Sequence, residues 1–159
     1  MEFRVGQGVD THTFVAGRPL ILGGVEIDSE RGLEGHSDAD ALLHAITDAV
    51  LGATGRGDIG TYFPDTDAKW KDADSKDLFR VVWKEITAEG WSLVNLDATV
   101  VTEAPKLKSS ISSIKGSLAK LFSVSPDCIG LKATTAEKMG ALGRGEGLLA
   151  LAVVLLSRS

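Results

Sequence analysis

Leu148-Leu149-Ala150-Leu151-Ala152-Val153-Val154-Leu155-Leu156 runs for nine residues without a polar side chain. Crossing a bilayer as a helix takes about 20 apolar residues, so this run is not a membrane span. Its length and composition suit a central strand buried on both sides. Working back toward the N-terminus, Cys128 to Thr134 reads as a second strand and Ile111 to Leu121 as a helix behind serines 109, 110, 112 and 113. Trp91 to Thr102 reads as a long strand, and Lys76 to Ala88 as a helix with Leu78, Val81, Val82 and Ile86 on one face. A helix with Ala41, Leu42, Ala45, Ile46, Ala49 and Val50 follows Ser37, Asp38 and Asp40, which offer a cap and first-turn acidity. Leu20-Ile21-Leu22 and Val25-Glu26-Ile27, split by Gly23-Gly24, form a short N-terminal hairpin, and Phe3 to Val9 alternates as a strand. The order predicts an α/β (α+β) two-layer sandwich. It has a mixed four-stranded sheet with helices on one face, plus the hairpin.

At 159 residues this is one domain, 1–159, large enough to close a core. The charge balance, 22 acidic against 17 basic residues, gives −5 and a pI near 5.2. That argues against nucleic acid as a partner, which needs a basic footprint, but leaves room for a small anionic substrate held by local cations or a metal. The single cysteine, Cys128, excludes an internal disulfide framework and a Cys-rich zinc site. Met1-Glu2-Phe3-Arg4-Val5 leads straight into strand-like sequence and has no signal-peptide pattern. A soluble, cytoplasmic protein without membrane partners is expected.

The three histidines can be placed completely. Asp10 and His12, two apart where the first strand ends, leave one face of an extended chain. His44 lies within the first helix, with Asp40 and Asp48 one turn to either side. Asp10, His12 and His44 could together form a metal site with an open position, catalytic rather than structural in type. A capping aspartate and two hydrogen-bonded histidines would give the same pattern. His36-Ser37 precedes the helix, where backbone N–H groups suit a phosphate, though Ser37 could be only a cap. Between Gly55 and Ser75 lie five aspartates at 58, 65, 67, 72 and 74. Gly57-Asp58-Ile59-Gly60 and Phe63-Pro64-Asp65-Thr66-Asp67 offer acceptors for hydroxyls, or simply make turns. Lys132-Ala133-Thr134-Thr135-Ala136-Glu137-Lys138 has the groups a diphosphate with a divalent ion requires. Gly143-Arg144-Gly145-Glu146-Gly147 lacks the spacing of a P-loop.

These motifs run in one order from Gly6 to Gly147, together with Ala104-Pro105-Lys106 and Gly6-Gln7-Gly8-Val9-Asp10-Thr11-His12. The series resembles the 2-C-methyl-D-erythritol 2,4-cyclodiphosphate synthase family, cyclases of the non-mevalonate isoprenoid pathway. The resemblance implies a homotrimer with active sites at subunit interfaces. It implies a lyase that converts 4-diphosphocytidyl-2-C-methyl-D-erythritol 2-phosphate to the 2,4-cyclodiphosphate with release of CMP. Asp10, His12 and His44 would hold a divalent metal, typically zinc, and Asp10, Thr11 and His12 would also bind substrate. His36 and Ser37 would meet phosphate, and His36 and Thr135 would stabilise the transition state. Asp58, Ile59, Gly60, Phe63, Pro64, Asp65, Thr66 and Asp67 would bind the methylerythritol. Thr102, Glu103, Ala104, Pro105, Lys106, Leu107, Lys108, Thr134, Thr135, Ala136 and Glu137 would form the cytidine and diphosphate pocket, Glu137 also holding magnesium or manganese. Ala141 and Arg144 would stand near the trimer axis.

By that resemblance the substrate's own 2-phosphate oxygen attacks the β-phosphorus, so no protein nucleophile is required. The chain departs from the family pattern at Gln7, where His is frequent, at Leu107-Lys108, and at Ala141, where an aromatic is common. A metal-dependent phosphatase using the same three ligands is the rival enzyme reading, and a trimeric anion-binding module the non-catalytic one. The setting implied is bacterial-type cytoplasm, or a plastid after removal of a transit peptide.

Overall fold

The computed structural model describes residues 1–159. In chain order the elements are β1 (Glu2–Ala16), β2 (Leu20–Leu22), β3 (Val25–Ile27), β4 (Arg31–Leu33), α1 (Ala41–Ala53), α2 (Ile59–Tyr62) and α3 (Ser75–Ala88). Then come β5 (Trp91–Val101), α4 (Ile111–Phe122), β6 (Ile129–Thr134), α5 (Gly140–Gly143) and β7 (Gly147–Arg158). The main sheet has five strands in the order β4-β1-β7-β5-β6, and β2 with β3 makes a separate hairpin. The sheet is mixed: β7 is antiparallel to β1 and β5, while β5 and β6 run parallel across the α4 connection. The expected two-layer sandwich is present, with one strand more than the four predicted. The extra strand, β4, is three residues paired with the end of β1, too short for any periodicity to show.

Gly6 and Gly8 decide how closely the layers approach. A Cβ at either position would stand 1.8 Å from a carbonyl oxygen of α1, that of Ala49 or Ala45. Only glycine lets strand and helix backbones meet there. Asp10 and His12 continue the same face of β1, so the packing that needs two glycines delivers a carboxylate and an imidazole beside α1. β1 does not end at Asp10 and His12, as the sequence suggested, but continues to Ala16. The chain is extended there in either case, so the shared face stands.

The core lies between the sheet and α1, α3 and α4, with Leu42, Leu43, Ile46, Phe79, Ile86, Leu96, Ile114 and Leu118 fully buried. Burial stabilises each by about 1.5–3 kcal/mol relative to exposure. Phe122 packs edge-on against Phe79 and Trp83, each with centroids 4.8 Å apart, and locks α3 to α4. α1 begins at Ala41, as the pattern suggested, but its first turn carries no acidic residue. Its cap is Asp40, whose Oδ1 accepts from Leu43 N–H at 2.9 Å, so Asp38 and Asp40 precede the first turn and Ser37 is not the cap. The stretch from 55 to 75 contains α2 and a short 3-10 turn at Ala68–Trp70, and Asp58, Asp67 and Asp74 cap α2, that turn and α3.

β7 corrects a second expectation. Leu148, Ala150, Ala152, Val154 and Leu156 are buried under the helices, but the alternate residues are not, and Val153 is 44% exposed. Only one face of the sheet carries helices. Phe3, Val5 and Val9 of β1 are exposed on the open face, where Val5 pairs with Leu155 and Val9 with Leu151. The run is apolar on both sides because both sides are suited to burial, while this single chain covers only one.

Candidate active site

The site grows from three donor atoms. Asp10 Oδ2 lies 2.7 Å from His12 Nε2 and 3.2 Å from His44 Nδ1, and all three donors fall within 4.8 Å of one another. The opposite ring nitrogens fix the tautomers. His12 Nδ1 is 2.7 Å from the Glu34 carbonyl oxygen, which can only accept, so Nδ1 carries the proton. His44 Nε2 is 2.8 Å from Ser75 Oγ, whose own hydrogen goes to the Asp38 carboxylate, so Nε2 donates to the hydroxyl. In their neutral forms both imidazoles therefore turn lone pairs toward a carboxylate oxygen. Three acceptors converging without a hydrogen between them require a cation, and the donor set suits a divalent ion, zinc above all.

A proton is the competing cation. Burial pushes the Asp10 carboxyl up, but hydrogen bonds from His12 and His44 outweigh it and hold Asp10 below the usual carboxylate range. The Asp10 hydrogen bond raises His12 above an ordinary histidine, against its burial. Protons and metal thus contest one position.

These ligands open into a cavity of about 220 Å³ whose lining also includes Gly35, His36, Ser37, Ile59, Gly60, Phe63, Asp65 and Trp70. Phe63 and Trp70 meet edge-on at 4.7 Å and form its apolar wall. His36 lines this cavity, and its ring Nε2 is buried without a hydrogen-bond partner. Asp58, Pro64, Thr66 and Asp67 are exposed in the bordering segment and do not line it. Thr11, on the opposite face of β1 from Asp10, is exposed.

A second cavity, about 420 Å³, lies beyond the carboxyl ends of the parallel strands β5 and β6. Such ends leave backbone groups unpaired and commonly take ligands. Its lining includes Thr102, Glu103, Pro105, Lys106, Leu107, Lys108, Thr134 and Thr135. Glu103 Oε1 accepts from Ala136 and Lys138 N–H at 3.0 and 3.2 Å, bending the chain so that Glu137 has φ of 52°. No residue lines both cavities, so one chain does not bring His36 and Thr135 into one pocket. Ala136, Glu137, Ala104, Ala141 and Arg144 line neither, and Arg144 pairs with Glu146.

Residues 3–157 match the YgbB family. The chain belongs to that family. Proteins named 2-C-methyl-D-erythritol 2,4-cyclodiphosphate synthase are 54% identical in Geobacillus kaustophilus and 55% in Synechococcus elongatus, each over 157 residues covering 99% of this chain. Those matches take in 99% and 98% of the two relatives. A solved synthase of that name in its CDP-bound form has a TM-score of 0.89 at 40% identity, covering 97% of this chain and all of that one. The bifunctional IspDF of Campylobacter jejuni superposes with a TM-score of 0.95 at 42% identity over 99% of this chain. This chain spans 43% of the length of that bifunctional protein.

Three side chains that support the site of this YgbB-family chain escaped sequence reading. Asp38 accepts from Ser75 N–H at 3.0 Å as well as from its hydroxyl, and Ser75 holds His44. In sequence, Asp74-Ser75 signals only the start of a helix. Asp48, its carboxyl raised by burial, accepts from Ile59 N–H at 2.7 Å and anchors the segment that forms the cavity's far wall. The lone visible signal for Asp48 was its place one turn after His44.

Proposed function

We propose that this chain catalyses the cyclisation of 4-diphosphocytidyl-2-C-methyl-D-erythritol 2-phosphate to 2-C-methyl-D-erythritol 2,4-cyclodiphosphate, releasing CMP as a phosphorus–oxygen lyase. The observation that carries the reading is the convergence of the Asp10, His12 and His44 donors beside His36 in one cavity. It is supported by full-length relatives that bear the synthase name. A divalent ion held by Asp10, His12 and His44, zinc by preference, would neutralise and polarise phosphate oxygens. The remaining work is positioning. His36 contacts the phosphates through its imidazole, and Ser37 bounds the same pocket. Ile59 and Gly60, with Phe63 and Asp65, enclose the methylerythritol portion, while Asp58 and the 64–67 segment border it.

Thr102 to Lys108 with Thr134 to Glu137 receive the cytidine and diphosphate, Lys106 bringing charge and Thr135 a hydroxyl. Glu137 is the natural ligand for magnesium or manganese bound with the diphosphate. CDP-bound relatives support a nucleotide in this role. The two cavities of one chain are separate, and the open apolar sheet face provides a means of joining cavities from different copies. Both features favour a homotrimer with the site between subunits. Residues 1–159 act as one cyclase domain, and bacterial relatives such as that of Neisseria gonorrhoeae favour a cytoplasmic setting. No helix is long and apolar enough to cross a membrane.

The test is incubation with the cytidyl substrate and detection of CMP and the cyclic product. Hydrolysis of a simple phosphomonoester with no cyclic product would instead establish the phosphatase reading.

A further inference from the structure

The segment that presents His36 is held from behind by a residue outside the motif. Arg18 sits in the turn after β1, its Nη1 donating to the Gly35 carbonyl at 2.8 Å and its Nη2 to the Ser37 carbonyl at 2.6 Å. The neighbouring carbonyls are also engaged: Glu34 accepts from His12 Nδ1 at 2.7 Å and His36 from Asp72 N–H at 2.8 Å. All four carbonyls from 34 to 37 thus have donors, whereas the N–H groups of Gly35, His36 and Ser37 donate to no protein acceptor. The Arg18 platform is itself rigid. Gly17 has φ of 80°, Pro19 follows, and a Cβ at Gly32 would stand 2.4 Å from the carbonyl oxygens of both Arg18 and Pro19, so β4 packs directly on this turn. Arg18 is half-buried and its guanidinium pairs with no carboxylate.

We infer that Arg18 is a positioning residue for phosphate recognition: its guanidinium fork holds the Gly35 and Ser37 carbonyls and so fixes the segment that presents His36 and Ser37 to the cavity. A fixed cation behind this segment also adds a favourable field for a phosphate placed against His36 and Ser37. The inference rests on the reading of this cavity as a phosphate site. It concerns the fork as well as the charge, because a lysine ammonium is a point charge without the planar spacing that spans two carbonyls.

The experiment compares Arg18→Gln, Arg18→Lys and Arg18→Ala with wild type, all zinc-loaded. It uses calorimetry with inorganic pyrophosphate and steady-state CMP release. Each variant is expected to bind pyrophosphate about tenfold more weakly and to raise KM more than it lowers kcat. Zinc content should stay at the wild-type level, Lys should not restore binding, and millimolar guanidinium should partly rescue Arg18→Ala. Wild-type affinity in Arg18→Gln, full restoration by Lys, or loss of zinc in step with loss of binding would overturn the inference, as would a wild type that binds no pyrophosphate. A wild type that binds pyrophosphate but releases no CMP would count against the cyclase reading alone.

Discussion

The two cavities solve opposite problems with opposite means. Around His36 nearly every side chain is braced by its own chain: His12 by Glu34, His44 by Ser75 and Asp38, and Ile59 by Asp48. Around Thr135 the chain provides scaffolding through Glu103 but leaves Lys106 and Thr135 exposed to solvent. The metal and phosphate chemistry proposed for this cavity needs donor atoms held to fractions of an ångström, and strand β1 with helix α1 supplies that rigidity. The diphosphate grip proposed for the second cavity tolerates an exposed lysine, because charge acts over a longer distance than a coordinate bond. The braced region should therefore fail completely when one member is removed, and the open region by degrees.

The largest effect tests the braced side. His12→Ala should lose most of its bound zinc, from about one ion per subunit, and more than about 10²-fold in activity, exceeding the usual loss from a supporting partner. Elemental analysis showing equal zinc in variant and wild type would refute the ligand assignment. A complementary break targets the open face of the sheet. Val153→Glu places a charge on the open face between its paired residues Gln7 and Asp97 and diagonal to Val5 and Val9, and light scattering should show dissociation to monomers. Zinc should be retained while CMP release is lost, since the metal region belongs to one chain and the complete site, as proposed, does not. Active monomers would contradict an interfacial site.

The sequence made most of the fold legible because the core is written in local patterns. Leu78, Val82 and Ile86 repeat at helical spacing, and Trp91 to Val101 alternates. Asp10-x-His12 was legible for a similar reason, period two along a strand. What escaped depends on partners distant in the chain. Ser75 reaches His44 across 31 positions and Arg18 reaches Ser37 across 19, and neither separation leaves a periodic mark. β4 is too short to alternate, and the open face of β7 has the composition of a buried one. Hydropathy shows that a surface is suited to burial; it does not distinguish burial by the same chain from burial by another.

An intermediate effect sharpens the contrast on the open side. Thr135 is proposed to donate to charge that develops as the phosphates join, so Thr135→Val, which keeps the shape, should lower kcat by about 10²–10³ with substrate binding nearly unchanged. Lys106→Ala should do the reverse, raising KM more than it lowers kcat, because the diphosphate is present before and after the chemical step. Steady-state CMP release with calorimetry of binding separates the two. Weaker binding with turnover spared in Thr135→Val would make Thr135 a ground-state contact.

The smallest effect concerns what holds the braced region in place. Asp40 is fully buried and joins α1 to the hairpin turn, accepting from Gly23, Gly24 and Leu43 N–H at 2.9, 2.7 and 2.9 Å. Burial pushes its carboxyl up to about 6 despite these donors, above an unfolded value of 3.8. A carboxyl with a raised folded pKa binds more protons folded than unfolded between those values. Its stabilising contribution is therefore complete below pH 3.8 and is lost as pH rises through about 6, a difference of up to about 3 kcal/mol. Asp40→Asn cannot ionise and so lacks this decline, but it gives up one acceptor oxygen and leaves a buried N–H unsatisfied, costing about 1–3 kcal/mol. The variant should be the less stable protein near pH 5, and the gap should narrow at pH 8 because only the wild type has lost stability on the way. Histidine titration is common to both proteins and cancels in the difference, so urea midpoints of the metal-free forms at the two pH values suffice. A gap that widens with pH would mean that Asp40 is ionised without cost in the fold, its three N–H donors outweighing its burial.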